Sequence, residues 1–207
     1  MNGMMTAQHK DLPEISEILA QAFMQEEFWC WAIQAQHLTA DVQKKKLKQL
    51  FKIQSEKYSL PFNSAYLLDN KQGAALWTPP NQWQLNLLQE VLLLPHFIKI
   101  VGLKQLFSVL KVIHQIQAYH PTTPHYYLQV IGVLPQAQGK GYSSQLLKPV
   151  LDLCDQQGHA AYLETATPNN ISLYRHFGFE ILNILDDLPN GAPVLYTMWR
   201  EPQRVLF

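Results

Sequence analysis

A turn with two glycines follows an apolar segment in the second half of the chain. The segment Tyr127 to Leu134 is rich in β-branched and aromatic residues and stops at Pro135, which is typical of a buried strand. The turn, Gln136 to Gly141, contains Lys140 and no acidic residue, and apolar residues at helical spacing follow it: Leu146, Leu147, Val150, Leu151 and Cys154. Glycines let a backbone approach a ligand, and the first amides of a helix lack intrahelical acceptors. The pattern favours a phosphate or pyrophosphate site, with a plain strand-to-helix turn as the alternative.

Two common phosphate-binding motifs do not describe this turn. A Walker loop ends in Gly-Lys-Ser or Gly-Lys-Thr, whereas this chain has Gly139-Lys140-Gly141. The dinucleotide fingerprint needs a third glycine at the position of Ser144. The turn instead has the form Gln-x-x-Gly-x-Gly behind a strand that ends in Val-x-Pro.

This form resembles the acyl-CoA loop of the GNAT superfamily of N-acetyltransferases. Downstream, Asn170 to Phe179 is similar to the family's Asn-x-x-x-Tyr-x-x-x-Gly-Phe helix and exit, and the two motifs have the family's separation. The similarity covers about Pro124 to Phe179. The letters HYYL before the loop, Pro149 in its helix and the LET-x-x-P-x-N run resemble the branch that includes puromycin N-acetyltransferase.

The resemblance implies acetyl-CoA as the cosubstrate. In the family, the backbone of the fourth strand pairs with the pantetheine arm, and amides of the loop and helix bind the pyrophosphate. Ser143 stands where many relatives have a third glycine. By motif position the cofactor-binding residues are Ile131, Val133, Gln138, Gly139, Lys140, Gly141, Tyr142, Ser143, Ser144 and Asn170, and Asn170 is alternatively a helix cap.

Two catalytic residues follow from the same resemblance. Tyr174 matches the tyrosine that protonates or hydrogen-bonds the leaving sulfur, and a phenol with an unperturbed pKa of about 10 is protonated at neutral pH. Glu164 lies in the strand that faces the amine and is the first candidate for the base; a structural carboxylate is the equal alternative. His125, Glu26 and Glu27 are weaker candidates.

The acceptor is expected to be a primary amine on a small molecule, attacking the thioester directly. Aromatic residues that could form its pocket are Trp29, Trp31, Trp77 and Tyr127. A CoA-binding regulatory or sensing module without turnover, and an enzyme that acetylates a protein or peptide, are the alternatives. No Cys and His spacing indicates a metal site.

Composition limits the class of protein. Sixteen basic residues balance sixteen acidic ones among 207, so no nucleic-acid partner is expected. The two cysteines are expected to be reduced. The most apolar region, Leu85 to Ile116, is interrupted by Pro95 and three lysines, so no membrane span is expected. A cytoplasmic protein, monomeric or homodimeric, is predicted.

The predicted fold is α+β, with a single domain over residues 1–207. A GNAT-like mixed, mostly antiparallel seven-stranded sheet is flanked by helices, and the Tyr127 and Ala160 strands form a parallel pair. Hairpins are expected at 65–77 and 180–199, and a loop at 25–31. Two helices of an insertion at about 81–120, near 84–94 and 102–118, either cover the acceptor site or form a packing or dimer face. The buried stripe of the second is predicted as Leu103, Leu106, Phe107, Leu110 and Ile113.

Overall fold

The computed structural model describes residues 3–84 and 86–203. Within those ranges seven strands form one sheet: β1 (Met4–Thr6), β2 (Ala65–Leu68), β3 (Gly73–Thr78), β4 (His125–Val133), β5 (Ala160–Thr165), β6 (Glu180–Leu185) and β7 (Leu195–Arg200). Their spatial order is β1-β2-β3-β4-β5-β7-β6. β4 and β5 are parallel, and the other neighbours are antiparallel. The predicted fold class is confirmed.

Helices flank this sheet: α1 (Leu12–Ala22), α2 (Glu27–Ile33), α3 (Ala40–Gln54), α4 (Leu87–Val101), α5 (Leu103–Ala118), α6 (Tyr142–Gln157) and α7 (Pro168–His176). The predicted helical insertion between β3 and β4 is confirmed as α4 and α5. Leu85, at the predicted start of the first insertion helix, lies outside the described residues. The strand β1 was missed because three residues at an edge are too few to show a period.

Two helices, α1 and α6, pack against the central strands of the sheet. The predicted apolar stripe of α6, from Leu146 to Cys154, is buried. α1 lies so close to β4 that a β-carbon at Gly132 would stand 2.9 Å from both the Ala22 β-carbon and the Leu19 side chain. Gly132 therefore permits the close packing of α1 against the strand that carries Ile131 and Val133.

The stripe predicted for α5 was partly wrong. Leu106 is buried, but Leu103, Phe107 and Leu110 are 59%, 62% and 42% exposed. The buried side of the helix consists of Gln105, Leu106, Val109 and Val112. α5 has apolar residues on more than one face, so its period alone could not select the inward face. By length and composition no single described helix could cross a membrane, whereas α4 and α5, bent by 120°, satisfy both criteria as a pair.

A gap opens between β4 and β5. In the described chain their pairing runs from His125 with Ala160 to Leu128 with Leu163 and goes no further. On the other side of β4, Trp77 pairs with Leu128 and Leu76 pairs with Val130. Gln129 is thus the extra residue of a β-bulge, which bends β4 at the point where the gap begins.

Candidate active site

The turn before α6 has the backbone conformation that its glycines allow. Gly139 and Gly141 have φ of 76° and 77°. A β-carbon at either position would meet no atom within 4 Å. A side chain at either position would therefore not clash with a neighbour. Glycine is favoured there because the backbone is in the left-handed conformation.

The backbone amides at the end of this turn and at the start of α6 are free to bind a ligand. In the described part of the chain, no backbone carbonyl accepts a hydrogen bond from the amides of residues 139–144, and α6 has no side-chain cap. The first helical bond is from the Gln145 amide to the Gly141 carbonyl at 3.2 Å. Six successive N–H groups at a helix N-terminus form a site that suits a diphosphate.

Gln138 differs from the rest of the predicted phosphate-binding set. Its amide donates to the Pro135 carbonyl at 3.3 Å and is not free. Its side chain donates to the Val133 carbonyl at 3.3 Å. Gln138 thus holds the turn against the end of β4, and its direct contact with a diphosphate through the amide is not favoured.

The backbone groups of Ile131 and Val133 face the gap. The Leu134 amide donates to the Gln72 carbonyl at 2.9 Å, on the β3 side of β4. Residues alternate between the two edges of a strand, so Val133 and Ile131 point to the opposite edge. These two residues lie where the resemblance assigns them, and their contact with a pantetheine arm stays a prediction.

A cavity of about 280 Å³ extends from this gap to the helical insertion. Val130, Ile131, Asn170 and Tyr174 line the end near the gap. α4 and α5 cover the other end with apolar side chains: Phe97, Val101, Val109, Ile113 and Ile116. The structure therefore supports the alternative in which the insertion covers the cavity.

Tyr174 extends from α7 into the cavity near Glu26. It is 5% exposed, and burial, with a smaller contribution from the Glu26 carboxylate, raises its pKa well above the ordinary value. Glu26 accepts a hydrogen bond from the Trp29 amide at 2.9 Å and caps α2, where a loop was predicted. Burial also raises the pKa of Glu26. A proton donor and a helix-capping carboxylate thus share this part of the cavity.

Glu164 lines the cavity at the end of β5. The Tyr127 hydroxyl donates to Glu164 Oε2. His120 Nδ1 lies 3.7 Å from the other oxygen, Oε1, which is buried and has no hydrogen-bond partner among the described residues. Burial, and then the Glu164 carboxylate, raise the pKa of Tyr127. Glu164 is therefore placed to accept a proton inside the cavity.

His120 and Trp83 are site residues that the sequence analysis missed. His120 follows α5, is buried, and stacks on Trp83 with ring centroids 3.8 Å apart. Both line the cavity. Neither belongs to a motif, and both lie at the ends of the insertion, so no signal in one sequence could have selected them.

Some predicted site residues lie elsewhere. Trp29 and Tyr127 line the cavity, but Trp31 and Trp77 do not. Trp77 is fully buried because every residue of β3 is covered on both faces. The Trp31 indole donates to the Asn190 carbonyl at 3.0 Å, away from the cavity. The prediction that Trp31 and Trp77 form the acceptor pocket therefore does not agree with the structure, in which neither side chain lines the cavity.

Three other predicted site residues, Asn170, Glu27 and His125, differ in their position relative to the cavity. Asn170 lines the cavity, but Thr167 holds the N-cap position of α7, so Asn170 does not cap that helix. Glu27 is exposed. His125 is buried beside His120 and does not line the cavity. No group of three or more His, Cys, Asp or Glu residues within 3–84 and 86–203 could hold a metal ion.

Comparison with known proteins finds similarity in the segment that contains both motifs. Residues 99–179 match the sequence profile of the Acetyltransferase (GNAT) family. An uncharacterized N-acetyltransferase from Schizosaccharomyces pombe is 39% identical over 79 residues. The match covers 38% of this chain and 32% of that relative, so the chain spans about a third of its length.

Solved acetyltransferases share the fold across nearly the whole chain. One is histone acetyltransferase HPA2 and related acetyltransferase from Corynebacterium glutamicum, with a TM-score of 0.69, 24% identity and coverage of 99% and 98% of the two chains. Another is arylalkylamine N-acetyltransferase 2 from Aedes aegypti, with a TM-score of 0.63, 14% identity and coverage of 97% and 98%.

These relatives support the wider resemblance, and the branch that includes puromycin N-acetyltransferase is not confirmed by them. The match to the family profile includes both motifs, the loop at 136–141 and the helix and exit at 170–179. The seven-stranded sheet with its parallel β4 and β5 agrees with the solved structures. Residues 99–179 are therefore similar to the GNAT acetyltransferase family, and the chain has the fold of the solved acetyltransferases.

Proposed function

We propose that the protein transfers an acetyl group from acetyl-CoA to the primary amine of a small molecule. One observation supports this most strongly. A single cavity joins the gap beside β4, the strand that leads into the turn with the free amides of 139–144, to a half-buried carboxylate, Glu164. A carrier that enters at one end can thus meet an amine that is held at the other.

The residues present fit acetyl-CoA. The amides of 139–144 would hold its diphosphate, and the backbone edge of Ile131 and Val133 would pair with its amide-bearing arm as an added strand. When bound, acetyl-CoA supplies an activated thioester carbonyl. Lys140, whose ammonium now donates to the Gln136 carbonyl at 3.2 Å, adds positive charge beside the turn.

The side chains of the cavity would move the protons of the reaction. A new carbon–nitrogen bond forms as the carbon–sulfur bond breaks, the amine nitrogen loses one proton, and the sulfur leaves as a thiolate with the electron pair of the broken bond. Glu164 would accept the proton from nitrogen. Tyr174 would donate a hydrogen bond to the sulfur, and holding both reactants in one enclosed cavity supplies a further part of the rate.

The lining of the cavity favours an amine with an apolar body and no free carboxylate. Its walls are largely aromatic and aliphatic, and the carboxylates of Glu26 and Glu164 face into it. No lysine or arginine among the described residues lines it. An ammonium group would thus be attracted, whereas a carboxylate on the acceptor would enter a negative, poorly hydrated site without a partner.

We expect tryptamine to be acetylated with a kcat/KM at least about 100-fold above that of tryptophan, because an unpaired like charge costs several kcal/mol. Release of thiol from acetyl-CoA measures both rates. Tryptophan methyl ester is the matched control, since it keeps the amine and the bulk of tryptophan without its charge, and its rate should approach that of tryptamine. Equal rates for tryptophan and tryptamine would contradict the acceptor assignment.

The same assay distinguishes the alternatives. Peptides with free N-termini or lysines should release little thiol, because α4 and α5 cover the acceptor end. Faster turnover of peptides than of every small amine would support a protein acetyltransferase. Binding of CoA without thiol release, across panels of aryl amines, aminonucleosides, polyamines, amino acids and peptides, would support a regulatory module.

A further inference from the structure

We infer that Glu164 and His120 accept the proton of the acceptor amine together, as one unit that holds it between Glu164 Oε1 and His120 Nδ1. This inference rests on the proposed function for its substrate. The hydrogen bonds around the two side chains support it independently of turnover. They determine where protons lie on two buried imidazole rings, one after the other.

The first ring is that of His125. Its Nδ1 lies 2.6 Å from the Thr123 carbonyl oxygen, and a carbonyl only accepts, so Nδ1 carries a hydrogen. Burial lowers the pKa of His125, which keeps the ring neutral. A neutral imidazole has one N–H, so His125 Nε2 presents a lone pair.

The second ring is that of His120. Its Nε2 lies 3.1 Å from His125 Nε2, and because His125 can only accept at that atom, His120 Nε2 must donate. In a neutral His120 ring the remaining nitrogen, Nδ1, then presents a lone pair. That nitrogen is the one that faces Glu164.

Two acceptors therefore face each other across 3.7 Å, the Nδ1 of His120 and the Oε1 of Glu164. The other carboxylate oxygen already accepts from the Tyr127 hydroxyl, while Oε1 has no partner in the described structure. A proton placed between them would satisfy both atoms. Because both side chains are largely buried, the gain from such a proton is larger than in water.

The groups packed around the pair do not supply that proton. Tyr127 donates to the other oxygen. Burial, followed by Glu164, raises the pKa of Tyr162, so this phenol keeps its own proton, and its hydroxyl makes no hydrogen bond within the described residues. Trp83, which does not titrate, stacks on the ring of His120. Since no described lysine or arginine lines the cavity, an ammonium or amine nitrogen held there is the natural proton source.

The proton balance of the step is simple. The nitrogen–hydrogen bond of the attacking amine breaks, its electron pair stays on nitrogen, and the proton goes to the Glu164–His120 pair. The charge of the pair changes from negative to neutral. At low pH the pair already holds its proton and cannot accept another, so the rate should fall on the acidic side of the pH profile.

The kinetic test is the pH profile of kcat/KM in the variant His120→Gln, with a fluorinated, weakly basic amine as acceptor. We expect the acidic limb to move about two pH units lower, since a carboxyl ordinarily titrates about that far below an imidazole. The plateau should fall about tenfold, because the weaker base drives proton transfer less. His114→Gln, on the exposed side of α5, is the matched control and should keep the wild-type profile.

An acidic limb at the same pH in His120→Gln and the wild type would overturn the inference. Thermal unfolding of each variant separates a loss of folding from a change in the limb. If instead no amine is turned over, the proposed function fails, and the shared proton can still be tested in the protein without acetyl-CoA.

Two-bond proton–nitrogen NMR spectra of the protein labelled at histidine provide that test. The expected result is a hydrogen on His125 Nδ1 throughout, and a His120 Nδ1 that is bare above the acidic limb and gains a shared proton as the pH falls through it. In Glu164→Gln the His120 Nδ1 resonance should change at a different pH, because the negative partner is lost. A hydrogen on His125 Nε2 would overturn the inference of a shared proton. So would a His120 Nδ1 resonance that is the same in Glu164→Gln and in the wild type.

Discussion

Replacing Tyr174 with phenylalanine should lower kcat by about 100-fold or more while leaving CoA affinity within about twofold. The ring of Tyr174 packs against Phe179 with centroids 6.0 Å apart, and phenylalanine keeps that packing. The lost group is the hydroxyl that faces the cavity. Initial rates and calorimetric titration with CoA measure the two quantities.

The pKa of Tyr174 determines what this hydroxyl can do. A thiol ordinarily titrates near 8.5 and a phenol near 10, and burial, assisted by Glu26, raises the pKa of Tyr174 further. Tyr174 is thus a weaker acid than the thiol that leaves, so its main effect is a hydrogen bond to the developing thiolate. Consequently kcat should show no basic limb from Tyr174 below about pH 10.

Tyr126→Phe is the matched control for this prediction. Tyr126 donates to Gln157 at 2.9 Å and does not line the cavity. Its loss should cost about 1 kcal/mol of stability and leave kcat unchanged. An unchanged kcat in Tyr174→Phe, with CoA binding intact, would exclude the proposed role.

Replacing Arg200 with methionine should lower the free energy of unfolding by about 3–5 kcal/mol. The Arg200 guanidinium makes two hydrogen bonds of 2.7 Å to the Asp155 carboxylate and one of 2.7 Å to the Phe177 carbonyl. It thereby joins β7 to the end of α6 and to the exit of α7. The variant leaves the Asp155 carboxylate, whose side chain is 11% exposed, without its charged partner.

Urea unfolding measures this loss, and Lys148→Met is the matched control. Lys148 pairs with Asp152 on the exposed side of the same helix, so its removal should change stability by less than about 0.5 kcal/mol. A similar, small loss in both variants would contradict the role assigned to Arg200.

The pH dependence of this effect has a definite sign. Burial opposes the charge of Asp155, but Arg200 and the Gln203 amide outweigh it and lower the pKa. A lowered pKa stabilises the fold above the ordinary value of about 4 and loses that contribution as pH falls through the folded value. Stability of the wild type should therefore fall more steeply below about pH 4 than that of Arg200→Met.

Six strands and the glycine turn before α6 could be predicted because their signals are local. Apolar runs, turn residues and the spacing of Gly139 and Gly141 all lie within a few positions of one another. The left-handed conformation of both glycines agrees with that interpretation. The parallel pair of β4 and β5 followed from the helix that joins them.

The acceptor end could not be predicted because it is assembled from distant segments. Trp77 and Trp29 have the same side-chain chemistry, and their different places depend on which strand is covered on both faces. His120 and Glu164 are 44 positions apart, and the bulge at Gln129 determines where β4 leaves β5. Such contacts depend on tertiary packing, which one sequence does not reveal.

The most direct measurement of the central claim is the amide proton–nitrogen NMR spectrum during titration with CoA and, separately, with pantetheine, which lacks the diphosphate. We expect the amides of 139–144 to shift strongly with CoA and little with pantetheine, while those of Ile131 and Val133 shift with both. If CoA at millimolar concentration left the 139–144 amides unmoved, or moved them no more than pantetheine does, the claim that they bind the diphosphate would be contradicted.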